Sequence, residues 1–275
     1  MSETPPKPDL HDDEDELASS SAPLLDHLTE LRQRLIVSIV AIAIGFAICF
    51  AFSRQIFNVL IIPFVDAVGA ANNGEDPTLY FAPLEFFFTR VRLSVFAAIV
   101  LAFPVLAFEA YKFIAPGLYK RERKAAAPFL IAMPVLFAVG ASLVYFVMMP
   151  FVMRFAVGFE GNAGEANPAN FELLTRVGDY LSLITTLILA FGFAFQLPVF
   201  LTLMARAGLI DAQFLTSNRR YAIVIIFIIA AFLTPPDPFS QAVLGGCIIA
   251  LYEVSVISVR MAAKKVEKVS EEAAA

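Results

Sequence analysis

Carboxylates set among bases are the groups in this 275-residue sequence with the most to offer chemically, and what they offer is recognition of a cation. In Asp26-His27-Leu28-Thr29-Glu30-Leu31-Arg32-Gln33-Arg34, Glu30 precedes Arg34 by one helical turn, so the two can pair weakly on one face. A carboxylate in such a pair can trade its partner for an incoming cation. In Phe113-Ile114-Ala115-Pro116-Gly117-Leu118-Tyr119-Lys120-Arg121-Glu122-Arg123, bases surround Glu122, yet its neighbours three and four residues away (Leu118, Tyr119, Ala125 and Ala126) are uncharged. Adjacent residues on a helix point apart, so Glu122 is expected to present an unpaired carboxylate. Plainer readings stand beside these: a helix whose bases anchor it at the membrane surface, and a glutamate neutralised by its neighbours.

A third polar group lies in Phe191-Gly192-Phe193-Ala194-Phe195-Gln196-Leu197-Pro198, where the Gln196 amide falls near the middle of an apolar run. Such an amide is costly unless bonded, so it either glues helices within the chain or meets a partner. Glu109, one turn before Lys112, and Glu253 stand near the ends of apolar runs, where they can snorkel. Catalysis has no visible machinery. His11 and His27 are the only histidines, Cys49 and Cys247 sit in apolar stretches, and no nucleophile-base set or phosphate-binding loop is present. No metal, cofactor or nucleic acid is expected.

The elements that must hold these groups are membrane helices. Hydrophobic residues make up 59% of the chain and charged ones 16%, with 28 Phe and a mean hydropathy of +0.75, too little polar surface for a soluble globule. Charge-free stretches cover 35–53, 93–108, 125–153, 180–205, 221–236 and 238–252, read as six transmembrane helices. The last two are short and joined through Thr234-Pro235-Pro236-Asp237-Pro238, which cannot continue a helix. The expected fold is therefore all-α and polytopic. Fifteen of the 20 Lys and Arg residues fall on the side of the N-terminus, which places both termini in the cytoplasm.

Residues 1–22, acidic and rich in Pro and Ser, are expected to be a disordered tail, 23–260 the six-helix domain and 261–275 a cytoplasmic tail. Segments 54–90 and 154–179 are expected to be partly structured outer loops. With no cleavable leader at the start, a bacterial cytoplasmic (inner) membrane is the expected location. No internal repeat supports a secondary transporter, although an ion-coupled small-molecule transporter is the main alternative function, and a membrane enzyme a more distant one.

Taken together, His27-Leu28-Thr29-Glu30-Leu31-Arg32, Phe103-Pro104, the segment from Phe113 to Arg123, Phe195-Gln196-Leu197-Pro198 and Leu233-Thr234-Pro235-Pro236-Asp237-Pro238-Phe239-Ser240-Gln241 resemble TatC, the core of the twin-arginine translocase. The resemblance covers about residues 24 to 260. It implies a receptor, not an enzyme, that binds twin-arginine signal peptides of folded precursors and recruits the single-span proteins TatB and TatA, using the proton-motive force. By the same resemblance, Glu30 and Glu122 meet the paired arginines, with Arg32 and Phe113 shaping the site. Gln196, where many members carry a glutamate, is the expected contact for a partner span. Pro63 and Asp237 match positions important for transport, and a higher-order complex with TatB is expected.

Overall fold

The computed structural model describes residues 10–71, 82, 84–114, 120–158, 176–206, 209–233 and 238–274, with side chains omitted at 10–27, 70–71, 114, 120–129, 157, 206, 233, 238–240 and 262–274. The described residues are helical almost throughout. In order these are α1 (Leu10–Ala51), α2 (Ser53–Ala71), α3 (Glu85–Ile114), α4 (Lys120–Leu143), a π-helical turn (Val144–Met148) and α5 (Met149–Val157). There follow α6 (Val177–Ala194), α7 (Leu197–Arg206), α8 (Ala212–Ser217), α9 (Arg219–Leu233) and α10 (Pro238–Ala274).

Among the described residues, five segments are long and apolar enough to cross a membrane: Leu28–Ala51, Glu85–Phe113, Leu130–Ala156, Val177–Ala205 and Gln241–Met261. The third is α4, the π turn and α5 in line, and the fourth is α6 and α7 across a two-residue break. A sixth apolar segment, α9, has 15 residues, which at 1.5 Å each rises about 22 Å. Of the two helices expected to be short, only α9 is. The final apolar run continues past Glu253 because that carboxylate is engaged by Arg219 (Nη2 to Oε2, 2.7 Å) instead of ending the span.

Segment 54–90 also departs from the expected loop. Leu60, Phe64, Ala67 and Val68 are buried at helical spacing, and this stripe holds α2 against α5. Arg54 and Asp66 interrupt the charge-free count there, which hid the helix. Pro63 therefore lies inside α2, buried, and not in a loop. Its ring nitrogen cannot donate to the Val59 carbonyl four residues back. Tyr145 Oη donates to that carbonyl instead (2.6 Å), and Tyr180 Oη donates to the next one, Leu60 (2.8 Å). At the N-terminal end, α1 runs back through residues 10–22, which the sequence reading set apart as a tail.

The core is built where α2, the π turn, α5 and α6 meet, around the fully buried Val144, Met149, Val177, Ile184, Leu187 and Phe191. Buried hydroxyls are satisfied along their own helices: Ser94 Oγ donates to the Arg90 carbonyl, Thr185 Oγ1 to Leu181 and Ser255 Oγ to Leu251. Among lipid no water can serve these groups, so an internal acceptor is required. Helix α1 packs along α3, while Leu35, Ile39, Ile44 and Ile48 face outward exposed.

Candidate functional site

Packing of α1 along α3 brings four charged side chains together where the apolar part of α1 begins and α3 ends. Arg34 lies at the centre. Its Nη2 and Nε both donate to Glu30 Oε1 (2.5 and 3.2 Å), and its Nη1 donates to Glu109 Oε2 (3.0 Å). Lys112 Nζ completes the set on Glu109 Oε1 (3.1 Å) and stands over the Phe108 ring, 3.9 Å from its centroid. Two carboxylates and two cations thus alternate, and the quartet is neutral.

Each member is placed by local sequence. Glu30 and Arg34 are one turn apart on α1, as are Glu109 and Lys112 on α3. The link between the helices, Arg34 to Glu109, joins residues 75 apart and had no signature in the sequence beyond a glutamate ending an apolar run. Glu109 is only 8% exposed, so it is held by partners and does not reach for water. Its part is larger than the snorkelling expected of it.

Of the other expected site residues, Arg32 is exposed on α1, outside the quartet, and Phe113 is half-buried in the last turn of α3, directly after Lys112. Glu122 lies in the first turns of α4, its side chain outside the described residues. Asp237 lies outside them altogether.

Gln196 occupies the break between α6 and α7. The ladder tightens there, Gln196 N donating three residues back to Phe193 O (2.9 Å), because Pro198 has no N–H to carry it forward. The amide itself reaches across to α4: Nε2 donates to the Met133 carbonyl (2.9 Å) and more weakly to Gly192 O (3.4 Å). Its oxygen is different. Oε1 is buried with no partner among the described residues. The donor half of the side chain is intramolecular glue, and the acceptor half is enclosed without a donor.

Comparison with known proteins bears on what this arrangement serves. The family model described as Sec-independent protein translocase protein (TatC) matches residues 26–246, which includes Glu30, Arg34, Glu109, Lys112 and Gln196. The chain belongs to the TatC family. The TatC protein of Magnetococcus marinus is 44% identical over 235 residues, covering 86% of this chain and 83% of that protein. That of Desulforapulum autotrophicum is 39% identical, covering 92% and 90%. A crystal structure of the twin arginine translocase receptor TatC superposes with a TM-score of 0.74 at 33% identity, covering 86% of this chain and 99% of that one. With its apolar helices, TatC membership makes the chain a multi-pass membrane protein and a component of Sec-independent protein translocation, in a family of translocase proteins and not of enzymes.

Proposed function

We propose that the protein is the receptor subunit of the twin-arginine translocase of a bacterial inner membrane, binding the signal peptides of folded precursors. The observation that carries this reading is the state of Glu30. That carboxylate already receives two N–H donors from a guanidinium, the chemistry a twin-arginine motif would bring. Arg-carboxylate contacts of this kind are charge-assisted and matched in shape, and a lysine ammonium cannot reproduce them.

In this reading Glu30 and Glu122 meet the two arginines, while Arg32, near the start of the apolar part of α1, and Phe113, in the last turn of α3, border the peptide. Both termini lie in the cytoplasm, α9 is a sixth, short span, and the bilayer thins beside it. Gln196 is the contact for a polar residue of a TatA or TatB span, its enclosed and donorless Oε1 accepting a hydrogen bond once the break between α6 and α7 parts to admit it. Pro63 and Asp237 serve transport, and the proton-motive force drives it.

The deciding experiment is co-purification of the detergent-solubilised protein with a twin-arginine signal peptide and with the same peptide carrying Lys-Lys. Retention of the Arg-Arg peptide alone is the expected result. Equal retention of both, or of neither, would remove the receptor reading.

A further inference from the structure

We infer that Arg34 is a resident stand-in for the signal-peptide arginine, and that Glu109 is the positioning residue that takes Arg34 over when the peptide arrives. The inference rests on the proposal that Glu30 receives a signal arginine. The geometry divides the Arg34 guanidinium into two parts. Nε and Nη2 hold Glu30, and Nη1 holds Glu109 on the neighbouring helix.

To engage both oxygens of Glu30 as a fork, an incoming guanidinium must displace Nε and Nη2 from Oε1, where both now sit. Arg34 is not stranded by this, because Nη1 stays on Glu109, a carboxylate only 8% exposed and held in place by Lys112. Leaving a charge unpaired at the end of a membrane span is costly, so exchange between two carboxylates is easier than release into none. The resting quartet is neutral, and after the exchange Glu109 holds both Arg34 and Lys112 while Glu30 holds the incoming arginine, so each cation keeps a carboxylate although the set has gained one positive charge.

Arg34 also sets a threshold. A competitor gains Glu30 Oε1, and with it a grip on both oxygens, only by matching the pair of N–H donors that Arg34 already supplies there. An arginine can do so, whereas a lysine offers a point charge without the fork. Discrimination between Arg-Arg and Lys-Lys therefore arises partly from what must be displaced, and not only from what is gained.

The test is a double-mutant cycle on the full-length purified protein, measuring affinity for Arg-Arg and Lys-Lys signal peptides with R34Q, E109Q and R34Q/E109Q. E109Q leaves Arg34 with Glu30 alone and should weaken Arg-Arg binding about tenfold, the effect of one charge-assisted hydrogen bond. R34Q should strengthen binding and narrow the Arg-Arg over Lys-Lys ratio. In the R34Q background, E109Q should have no further effect. If Glu109 merely adds negative potential, E109Q costs the same in both backgrounds, and that result would overturn the exchange, as would R34Q weakening binding at an unchanged ratio. R34K, which keeps a cation for Glu109, should narrow the ratio as R34Q does and serves if R34Q does not fold. E30Q separates the two layers: wild-type binding by E30Q refutes the underlying site, whereas loss in E30Q with additive R34Q and E109Q effects refutes the exchange alone.

Discussion

Tyr145 Oη donates to the Val59 carbonyl, the one carbonyl in α2 that Pro63 leaves without an N–H. A proline in mid-helix thus becomes an attachment point between two helices 86 residues apart in sequence. Tyr145→Phe should lower stability by about 0.5 to 1.5 kcal/mol, the net contribution of one hydrogen bond, since this one lies at the surface of the bundle. In a Pro63→Ala background, where the backbone can close its own bond, the same substitution should cost almost nothing. Thermal unfolding of the four proteins in detergent checks this.

Gly140 is set where α4 crosses α6. A Cβ there would lie 2.8 Å from the Phe191 carbonyl oxygen and 3.0 Å from its carbon, both backbone atoms that cannot move aside cheaply. Gly140→Ala should therefore destabilise by about 1 to 3 kcal/mol through overpacking. Gly246 on α10 has nothing within 4 Å of such a Cβ, and Gly246→Ala should be neutral or stabilise by up to about 1 kcal/mol through helix propensity. The difference in melting temperature between the two variants is the readout.

Replacing Gln196 by Met keeps length and removes both polar atoms. Loss of the bond to the Met133 carbonyl should cost about 0.5 to 1.5 kcal/mol of stability, too little to unfold the chain. Disulfide crosslinking from neighbouring positions to a TatA or TatB span should fall much further, because the donorless Oε1 is lost. Unchanged crosslinking in a normally inserted protein would restrict Gln196 to intramolecular glue.

Glu122→Gln keeps shape and removes charge. A hydrogen bond to a charged group contributes about 1.5 to 3 kcal/mol, so signal-peptide affinity should fall roughly ten- to a hundredfold. Glu30→Gln should cost less, since Glu30 begins with Arg34 as a resident partner. Titration of labelled signal peptide against both variants ranks them, and equal losses would contradict the ranking.

Orientation is open to direct measurement. In a Cys-free background, a cysteine at position 120 should resist an impermeant maleimide applied outside intact cells and react after lysis, given the bias of Lys and Arg. One at position 92, where Arg92 is exposed near the start of α3, should react from outside.

Much of this was legible beforehand, for reasons that differ by element. Long apolar runs announce spans by themselves, and the Glu30–Arg34 pair follows from spacing alone. Three features did not. Counting charges hid α2, because Arg54 and Asp66, on its exposed side, interrupt the run that carries its buried apolar stripe, and it clipped the last span at Glu253, whose charge Arg219 answers from another helix. Glu109 was undervalued for the same reason: its partner Arg34 lies 75 residues away, and no local pattern encodes a contact between helices.

The placement of the charged quartet has a consequence for how the protein is made. All four members lie on α1 and α3, the first two helices long and apolar enough to span a membrane, and the ion pairs that join them involve no residue beyond 112 among the described residues. Once α3 has entered the bilayer beside α1, the ion pairs can close while the remaining helices are still being synthesised. The α1–α3 part of the proposed signal-peptide site is thus the earliest to mature, and α4 with Glu122 and the rest of the bundle join it afterwards.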